Sequence, residues 1–554
     1  MMRLRTIPLA VSFAAATMFL AACGGGVTTE GGGGGPKGAG TGSAKDGGPS
    51  GRDAGAFADS GTKDEGTIDD GTEDASDLPG VSDLSDRSDP SDVAAPQDAG
   101  ADAGGTDGGV LPGLSVGPSG YYLRLDGKPV ILVGDSLTQG WMELGADFNY
   151  VEYLDALSSR GLNVVMIWSY IGITDQRDDE RIGYDAPEFW PWNGGPGKFD
   201  LNSLNPVYFE QLGEFVRAAR ARDMVVLITV HDGGVKWRFD GHPFNSALGG
   251  PLADKAGYVE LDDYGAEAPA AFDPSWRWQK KNQFFQERFC ERMIDTLKGF
   301  DNVMFEMFNE GEWYDQGNLL KHQTHFLSFF RKRTDAITAV NDDHVLAGDY
   351  QGNPECDVIT NHSPRWDAMP PARDFFDHYV AAFGKTPPKP CFFSEPVPEF
   401  RGEADRLDAL MRMAWGTALG GAGFVLQNDA SFGFDTKAAI ASKAAERDAA
   451  LDRLGHITKV LDDPSLNIEA MRPDAAVAAG LPALCERGRM YIVYVESQKS
   501  VTLDLSDAPG AFDARFFDPK TGKPGPPVEV SGGAKRSIDK PGTDDQVLWV
   551  VIRK

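Results

Sequence analysis

Two glutamates, each at the end of a short apolar run, are the residues in this sequence best suited to chemistry. Glu310 ends the segment 305–310 (FEMFNE), and Glu395 ends the segment 392–395 (FFSE). Two carboxyl groups about 5 to 5.5 Å apart can cleave a glycosidic bond by double displacement. One attacks the anomeric carbon while the other protonates the departing oxygen. If the fold brings them together, Glu310 and Glu395 are predicted to be a catalytic pair.

Other glutamates lie close to Glu310 and Glu395 in the sequence. Glu306 lies four residues before Glu310, so on a strand both side chains point to the same side. We expect Glu306 to support the site from below rather than to react. We expect Glu312 and Glu399 to be solvated.

Strands must position this pair, and the sequence after residue 113 predicts them. Short apolar runs alternate with longer amphipathic stretches. The runs are nearly continuous and rich in β-branched residues, as expected of strands covered on both faces. The eight predicted strands are 129–134, 163–168, 224–230, 302–308, 344–347, 357–360, 390–393 and 423–426.

Amphipathic stretches between these runs predict helices. In the third of them, Phe285, Phe289 and Met293 recur at helical spacing. The repeated strand–helix order predicts an α/β fold, a (β/α)8 TIM barrel rather than an open doubly wound sheet. The predicted helices are 148–160, 206–222, 280–298, 317–339, 371–383, 403–420 and 438–461.

In such a barrel the loops that follow the strands form a mouth at the carboxyl end, where active sites are built. Glu310 follows the fourth predicted strand and Glu395 the seventh, so both would point into this mouth. Asp135 and Trp168, at the ends of the first two strands, are placed to line a sugar subsite. Trp313 is expected to flank a leaving-group subsite.

The loops after strands two and three are long, at about 169–205 and 231–279. Aromatic side chains there would suit the apolar faces of sugar rings. For each of them, packing of the loops on one another is the alternative. The tryptophans concerned are Trp190, Trp192, Trp237, Trp276 and Trp278.

Beyond residue 463 the pattern changes to short alternating runs separated by turns such as 518–522 (DPKTG). Period-two alternation of this kind predicts a small antiparallel β-sandwich over residues 464–554. The catalytic barrel would then occupy residues 114–463. The clearest runs are 490–496, 500–505, 512–517 and 546–552.

The two glutamate segments resemble those of the clan of retaining glycoside hydrolases that includes the family 5 cellulases. VMFEMFNEG is similar to the clan's Glu-x-x-Asn-Glu signature on strand four, and FFSE to its strand-seven nucleophile. The resemblance implies that Glu310 is the general acid/base and Glu395 the nucleophile. It also implies that Asn309 bonds the sugar 2-hydroxyl and that His231 and His362 are active-site histidines.

Two positions depart from the clan's pattern. Gly311 stands where a proline is common, and Gln427-Asn428 stands where many members place a tryptophan, which makes Asn428 a candidate substrate contact. A nearer resemblance is to apiosidase-like barrel hydrolases, which open with a strand like LDGKPVILVGDS and close with a small β-domain named for collagen binding. This resemblance covers roughly residues 118–554.

The first 23 residues carry Arg3 and Arg5 ahead of an apolar run that ends in Leu20-Ala21-Ala22-Cys23. They resemble a bacterial lipoprotein signal peptide, which implies lipidation of Cys23; an ordinary secretory signal is the alternative. Residues 24–113 contain 25 glycines in 90 positions and one aromatic residue, Phe57. Such a segment cannot bury enough apolar surface to fold, so it is predicted to be a disordered tether.

The formal net charge is −30, and the predicted folded part, residues 114–554, is itself acidic, which argues against a nucleic-acid partner because such a partner requires a basic face. We expect an oligosaccharide or polysaccharide substrate and a monomeric protein. The membrane would be reached only through the lipid anchor, at the outer membrane or cell surface of a bacterial envelope.

Cofactor chemistry has no clear signal in the sequence, and we expect no cofactor or metal. His322 and His325 on a predicted helix have no carboxylate cluster beside them and are interpreted as a solvated face. The cysteines after Cys23 show no zinc-binding spacing. Cys356 and Cys391 could form a disulfide, or all could be buried thiols.

Two alternative functions stay open at this point. Residues 134–137 (GDSL) match the first block of GDSL esterases, in which Ser136 would be the nucleophile. The late Asp-x-x-His that such a serine needs is missing from the sequence. The second alternative is a non-catalytic surface lipoprotein that binds carbohydrate or matrix, with an inert barrel.

Overall fold

A computed structural model describes most of the chain after the predicted tether. The chain divides into two units, residues 1–101 and 102–554, and all described residues belong to the second. The described residues are 113–137, 149–170, 190–195, 198–261, 282–342, 348–362, 371–394, 396, 406–427 and 444–553.

Eight parallel strands form a closed barrel, which confirms the predicted (β/α)8 fold. Closure occurs where the last strand pairs with the first, with Gln427 beside Ser136. In order around the barrel the strands are β4 (Val133–Leu137), β5 (Val164–Trp168), β8 (Val225–Thr229), β9 (Val303–Glu306), β10 (Ile337–Asn341), β11 (Val358–Asn361), β12 (Cys391–Phe393) and β13 (Gly423–Gln427).

Strands β5 and β8 are buried along their whole length, as their unbroken apolar sequences require. Their side chains alternate between two cores. Met166 and Leu227 belong to a cluster made only of strand and near-strand residues, inside the barrel. Ile167 and Ile228 belong to the large cluster that includes the surrounding helices.

The helices pack around the barrel and have ordinary sequence signals at their ends. In the helix Pro206–Arg220, Asn205 accepts a hydrogen bond from the N–H of Val207, and Pro206 occupies the first turn. The helices are α1 (Tyr150–Ser158), α2 (Pro206–Arg220), α3 (Val235–Arg238), α4 (Asn282–Leu297), α5 (Gln316–Arg331), α6 (Ala372–Phe383), α7 (Arg406–Leu419) and α8 (Ala444–Leu461).

The prediction of the fifth strand was wrong. Strand β10 begins within the last three residues of the predicted helix 317–339 and runs to Asn341, and α5 ends at Arg331. Residues 343–347, which include the whole predicted strand 344–347, lie outside the described residues. The helix ends early because Thr334 caps the next turn by accepting from the N–H of Ala336, and β-branched residues follow.

The first strand was also misplaced, by several residues. Part of the predicted strand 129–134 belongs to a separate antiparallel sheet, and the barrel strand starts only at Val133. Asp126 and Gly127 both have positive φ, so they make the tight turn that folds this part back as a hairpin. This sheet consists of β1 (Leu114–Val116), β2 (Leu123–Leu125) and β3 (Lys128–Val130). A second, separate small sheet consists of β6 (Trp192–Asn193) and β7 (Asp200–Leu204).

The C-terminal residues form antiparallel sheets, consistent with the predicted β-sandwich. A two-stranded sheet of β17 (Ser500–Asp504) and β21 (Lys535–Asp539) contributes Val501, Leu503 and Ile538 to a core shared with a seven-stranded sheet. The strands are β14 (Arg472–Pro473), β15 (Ala483–Glu486), β16 (Met490–Val495), β17 (Ser500–Asp504), β18 (Ala511–Asp518), β19 (Lys523–Pro524), β20 (Val528–Ser531), β21 (Lys535–Asp539) and β22 (Gln546–Ile552).

Within the described residues, no helix is both long enough and apolar enough to span a membrane.

Candidate active site

Glu310 lies just past the carboxyl end of β9, at the mouth of the barrel. Glu310 is half-buried, and its backbone is left-handed, with φ 49° and ψ 45°. A non-glycine residue rarely adopts this conformation, which costs about 1 to 3 kcal/mol and clusters at functional sites. Glu310 also precedes the short 3-10 turn Gly311–Trp313.

The backbone around Glu310 is held by the loop that follows β8. The N–H of Asn309 donates to the carbonyl of His231 at 2.9 Å, and the N–H of Gly233 donates to the carbonyl of Asn309 at 2.7 Å. These bonds continue the β8–β9 pairing beyond both strands. A Cβ at Gly233 would overlap the carbonyl oxygen of Glu310, so only glycine allows this approach.

A buried ion pair fixes the same loop. The guanidinium of Arg238 lies 3.4 Å from the carboxylate of Asp232, and both side chains are almost fully buried. Asp232 also accepts a hydrogen bond from the N–H of Gly234 at 3.1 Å. Sequence analysis placed a long loop after the third strand but did not predict that its start holds Glu310, although the consecutive glycines Gly233 and Gly234, a few residues after β8, are a signal of close backbone approach.

Glycine at position 311, where the glycoside hydrolase clan that the sequence resembles often has proline, is explained by close packing. A Cβ at position 311 would overlap the side chain of Leu319 on α5. The turn after Glu310 is therefore packed directly on this helix.

Glu306 lies inside the barrel, below Glu310. Its carboxylate is fully buried and accepts hydrogen bonds from the hydroxyls of Thr229, at 2.7 Å, and Thr360. The threonines stand on β8 and β11, so Glu306 ties strands together across the interior. This position agrees with the expected supporting role.

Asn309, Trp168 and His362 are all buried, with at most 2% of their surface exposed. Trp168 belongs to the interior cluster of the barrel. His362 directly follows β11, and by alternation with Val358 and Thr360 it falls on the inner side. Their contacts with substrate stay predictions.

His231 faces the helices rather than the mouth. Its ring packs against Phe326 and His322 on α5, and its Nδ1 lies 3.0 Å from the carbonyl of Met307. A carbonyl only accepts, so Nδ1 carries the proton of a neutral ring. Burial lowers the pKa of His231 to about 3. Direct contact with substrate is not favoured by this geometry, and the role stays a prediction.

Asp135 likewise belongs to the outer layer. It is fully buried, and the hydroxyl of Tyr153 on α1 donates to its carboxylate at 2.6 Å. The strand continues through Asp135 to Leu137, so this residue is not at a strand end as predicted. The proposed place of Asp135 in a sugar subsite is therefore not favoured either.

Trp313 lies on the surface beside the mouth, three residues after Glu310. Its exposure is 38%, and the ammonium of Lys236 lies 5.1 Å from its ring centroid. The role of Trp313 in a leaving-group subsite stays a prediction. By contrast, Trp190 and Trp192 are buried and pack against other aromatic rings of the loops.

Glu395 and Asn428 lie outside the described residues, as do Cys23 and Glu399. The residue before Glu395 is described: the N–H of Ser394 donates to the carbonyl of Asn361 at 3.0 Å, at the carboxyl end of β12. The separation of Glu310 and Glu395 stays a prediction.

Ser136, the alternative nucleophile, is fully buried in the barrel wall. Its hydroxyl donates to the carbonyl of Leu426 at 2.9 Å. Acyl transfer needs a serine that is exposed at the top of a sheet and paired with a base. The geometry of Ser136 does not favour the esterase.

In the described part of the chain, no cluster of three or more His, Cys, Asp or Glu is placed to hold a metal ion. Cys290, Cys356, Cys391 and Cys485 are buried free thiols. His322 is fully buried, so the expected solvated face was wrong for this residue.

No model of a known protein family and no curated protein matches the sequence. Solved structures do resemble the fold. One is a glycoside hydrolase family 5 protein from Bacteroides vulgatus, with 17% identity and a TM-score of 0.56, over 79% of this chain and 93% of that chain. Another, described as a glycoside hydrolase, has 14% identity and a TM-score of 0.54, over 79% and 97% of the two chains. At these identities the likeness establishes the barrel fold that this chain shares with them.

Proposed function

We propose that this protein is a retaining glycoside hydrolase that cleaves β-linked glycans with Glu310 as acid/base and Glu395 as nucleophile. The observation that carries the proposal is Glu310 itself, a half-buried carboxylate in a strained backbone at the carboxyl end of the fourth barrel strand. Solved glycoside hydrolases with the same fold support it.

The reaction would proceed by two displacements. Glu395 attacks the anomeric carbon while the carboxylic acid of Glu310 protonates the departing glycosidic oxygen, which leaves a glycosyl ester on Glu395. The Glu310 carboxylate then removes a proton from water as the water oxygen attacks the same carbon. This step releases the sugar and restores both groups. Asn309 would bond the sugar 2-hydroxyl, and Trp313 would flank the leaving group.

Substitution of either glutamate tests the proposal. On a panel of activated aryl β-glycosides, Glu310→Gln and Glu395→Gln should each lose most turnover while their circular dichroism spectra stay unchanged. Azide should partly restore Glu310→Ala, because a small anion can replace water at the glycosyl-enzyme without a general base. The matched control is Glu291→Gln on the outer helix α4, which should retain full activity. Full activity in both glutamine variants would refute the assignment.

We also propose that Cys23 is lipidated and that the protein is anchored in a bacterial cell envelope. The support is the sequence of residues 1–23. Metabolic labelling with palmitate should mark the full chain and should be lost in Cys23→Ser. Labelling that persists in this variant would contradict the proposal.

A further inference from the structure

A cavity of about 270 Å³ opens beside the turn that follows Glu310. Its wall begins at Gly311, the next residue in the chain, and continues along the first turns of α5. The end of the barrel strand β10 and residues 349–350 complete it. The volume is slightly below the roughly 300 to 1,000 Å³ of pockets that hold drug-sized ligands. A single sugar ring therefore suits it better than a chain of rings. We call it the acidic pocket.

Acidic side chains dominate the lining. Glu312, Asp342 and Asp349 contribute three carboxyl groups, and none of the described lining residues is Lys, Arg or His. Two of these carboxyl groups affect the pKa of Tyr350, a residue of the pocket wall. The pKa of Tyr350 is raised, first by burial and then by the carboxylate of Asp342, with a smaller contribution from Asp349.

Two buried amide side chains add a second, independent feature. Gln323 and Asn341 line the acidic pocket with 1% and 3% of their surface exposed. Gln323 donates through Nε2 to Tyr350 and to the carbonyl of Asn341. Within the described residues, Gln323 Oε1 and Asn341 Nδ2 have no hydrogen-bond partner. Buried polar atoms of this kind are rare in folded proteins, and a hydroxylated ligand could pair with both the acceptor and the donor.

We propose that the acidic pocket receives the leaving-group sugar of the proposed hydrolase, and that it selects neutral and amino sugars against uronic acids and sulfated sugars. The inference rests on the proposed function for the role of the sugar as leaving group. Hydroxyl groups of the sugar pair with Gln323 and Asn341. The three carboxyl groups disfavour an anionic ring and favour a cationic one. The interaction is strongest at the buried Asp342, and water screens it more at the exposed Asp349.

Binding of monosaccharides to the full chain tests this selection. The probes are glucosamine, glucose and glucuronate, measured by isothermal titration calorimetry at mildly acidic pH and low salt. Glucosamine should bind at least about tenfold more tightly than glucuronate, with glucose between them, and high salt should narrow the ratio.

Two aspartate variants identify where the selection arises. Asp349→Asn should reduce the glucosamine-to-glucuronate ratio, and Asp335→Asn, the same change on an exposed residue outside the pocket, should leave it unchanged. Equal affinities for the three sugars, undetectable binding of all of them, or a ratio that Asp349→Asn does not alter would overturn the inference. The assay measures binding alone, so a failure of the proposed hydrolysis, seen as full activity in Glu310→Gln and Glu395→Gln, would be recognised separately.

Discussion

The left-handed backbone of Glu310 is a local strain that its neighbours must sustain. The backbone N–H and the carbonyl of Asn309 both form hydrogen bonds with the loop after β8, and the turn after Glu310 packs on Leu319. The two glycines at positions 233 and 311 permit these close approaches. At the scale of single residues, the backbone orientation of Glu310 therefore depends on neighbouring residues, such as the two glycines, that take no part in the proposed reaction.

Substitution of Gly233 by alanine should show this dependence. The added Cβ overlaps the Glu310 carbonyl, so the backbone at 309–310 must shift. A displacement of about 1 Å near a reacting group can cost about 10²-fold in rate. We expect kcat of Gly233→Ala on an aryl glycoside to fall by about this factor while circular dichroism still reports a folded barrel.

The matched control is Gly213→Ala in the interior of α2. A Cβ there meets only Thr296 Cγ2 at 3.7 Å, an ordinary contact. Alanine in a helix is favoured over glycine by about 0.5 to 1 kcal/mol, so this variant should keep its activity and gain stability. Unchanged kcat in Gly233→Ala would show that the close approach of Gly233 to residues 309–310 does not position Glu310.

The apolar run before Glu310 was sufficient to predict that this residue follows a barrel strand, as it follows β9. The sequence did not determine the side that Asp135 faces. That depends on the strand register: a strand predicted to end at Gly134 makes Asp135 a mouth residue, whereas β4 runs to Leu137 and turns Asp135 toward Tyr153. The contact of the loop 231–234 with residues 309–310 was not predicted, because consecutive glycines indicate a close backbone approach without identifying the partner.

At the scale of elements, most barrel strands were predicted to within a few residues because burial on both faces gives unbroken apolar runs. Strand β10 was not recognised in this way, because its sequence ITAVN is short and continues the amphipathic pattern of α5. A usable signal was present. The cationic run 331–333 is typical of a helix end, and Thr338 and Val340 are β-branched.

The contact between α7 and the C-terminal sheet allows a prediction at this scale. Arg412 lies 2.9 Å from Asp545 and 3.5 Å from Glu496, and Tyr494 also donates to Asp545. Burial raises the pKa of Glu496. Arg412→Met removes the cation and leaves two half-buried carboxylates together. We expect a loss of about 1 to 3 kcal/mol in the free energy of unfolding by urea, below the cost of breaking a fully buried pair because Arg412 is 27% exposed.

Lys535→Met is the control for Arg412→Met. Lys535 lies 3.5 Å from Asp504 but is 68% exposed, so water screens the pair and its loss should change stability by less than about 1 kcal/mol. Equal effects of the two substitutions would mean that the α7 contact contributes no more than an ordinary surface pair.

At the scale of the whole molecule, buried histidines link stability to pH. Burial lowers the pKa of His231 and His242 to about 3 and that of His322 well below its ordinary value. The hydrogen bonds agree with neutral rings. The N–H of Phe244 donates to Nδ1 of His242 at 3.2 Å, which protonation of that nitrogen would prevent.

These histidines should make the protein less stable in mild acid. Unfolded histidine binds a proton near pH 6.5 and the buried rings do not, so stability is full above this pH and falls as pH decreases toward 3. Asp462, whose pKa burial raises to about 6, acts in the opposite direction and offsets part of the change. Between pH 7 and 5 each histidine should lower the free energy of unfolding by about 1 to 2 kcal/mol, measured by urea unfolding followed by tryptophan fluorescence.

His242→Asn, whose amide oxygen can still accept from the N–H of Phe244, should lose less stability than the wild type over this pH interval. Equal stability of the wild type at pH 7 and 5 would show that these rings are not held neutral by the fold.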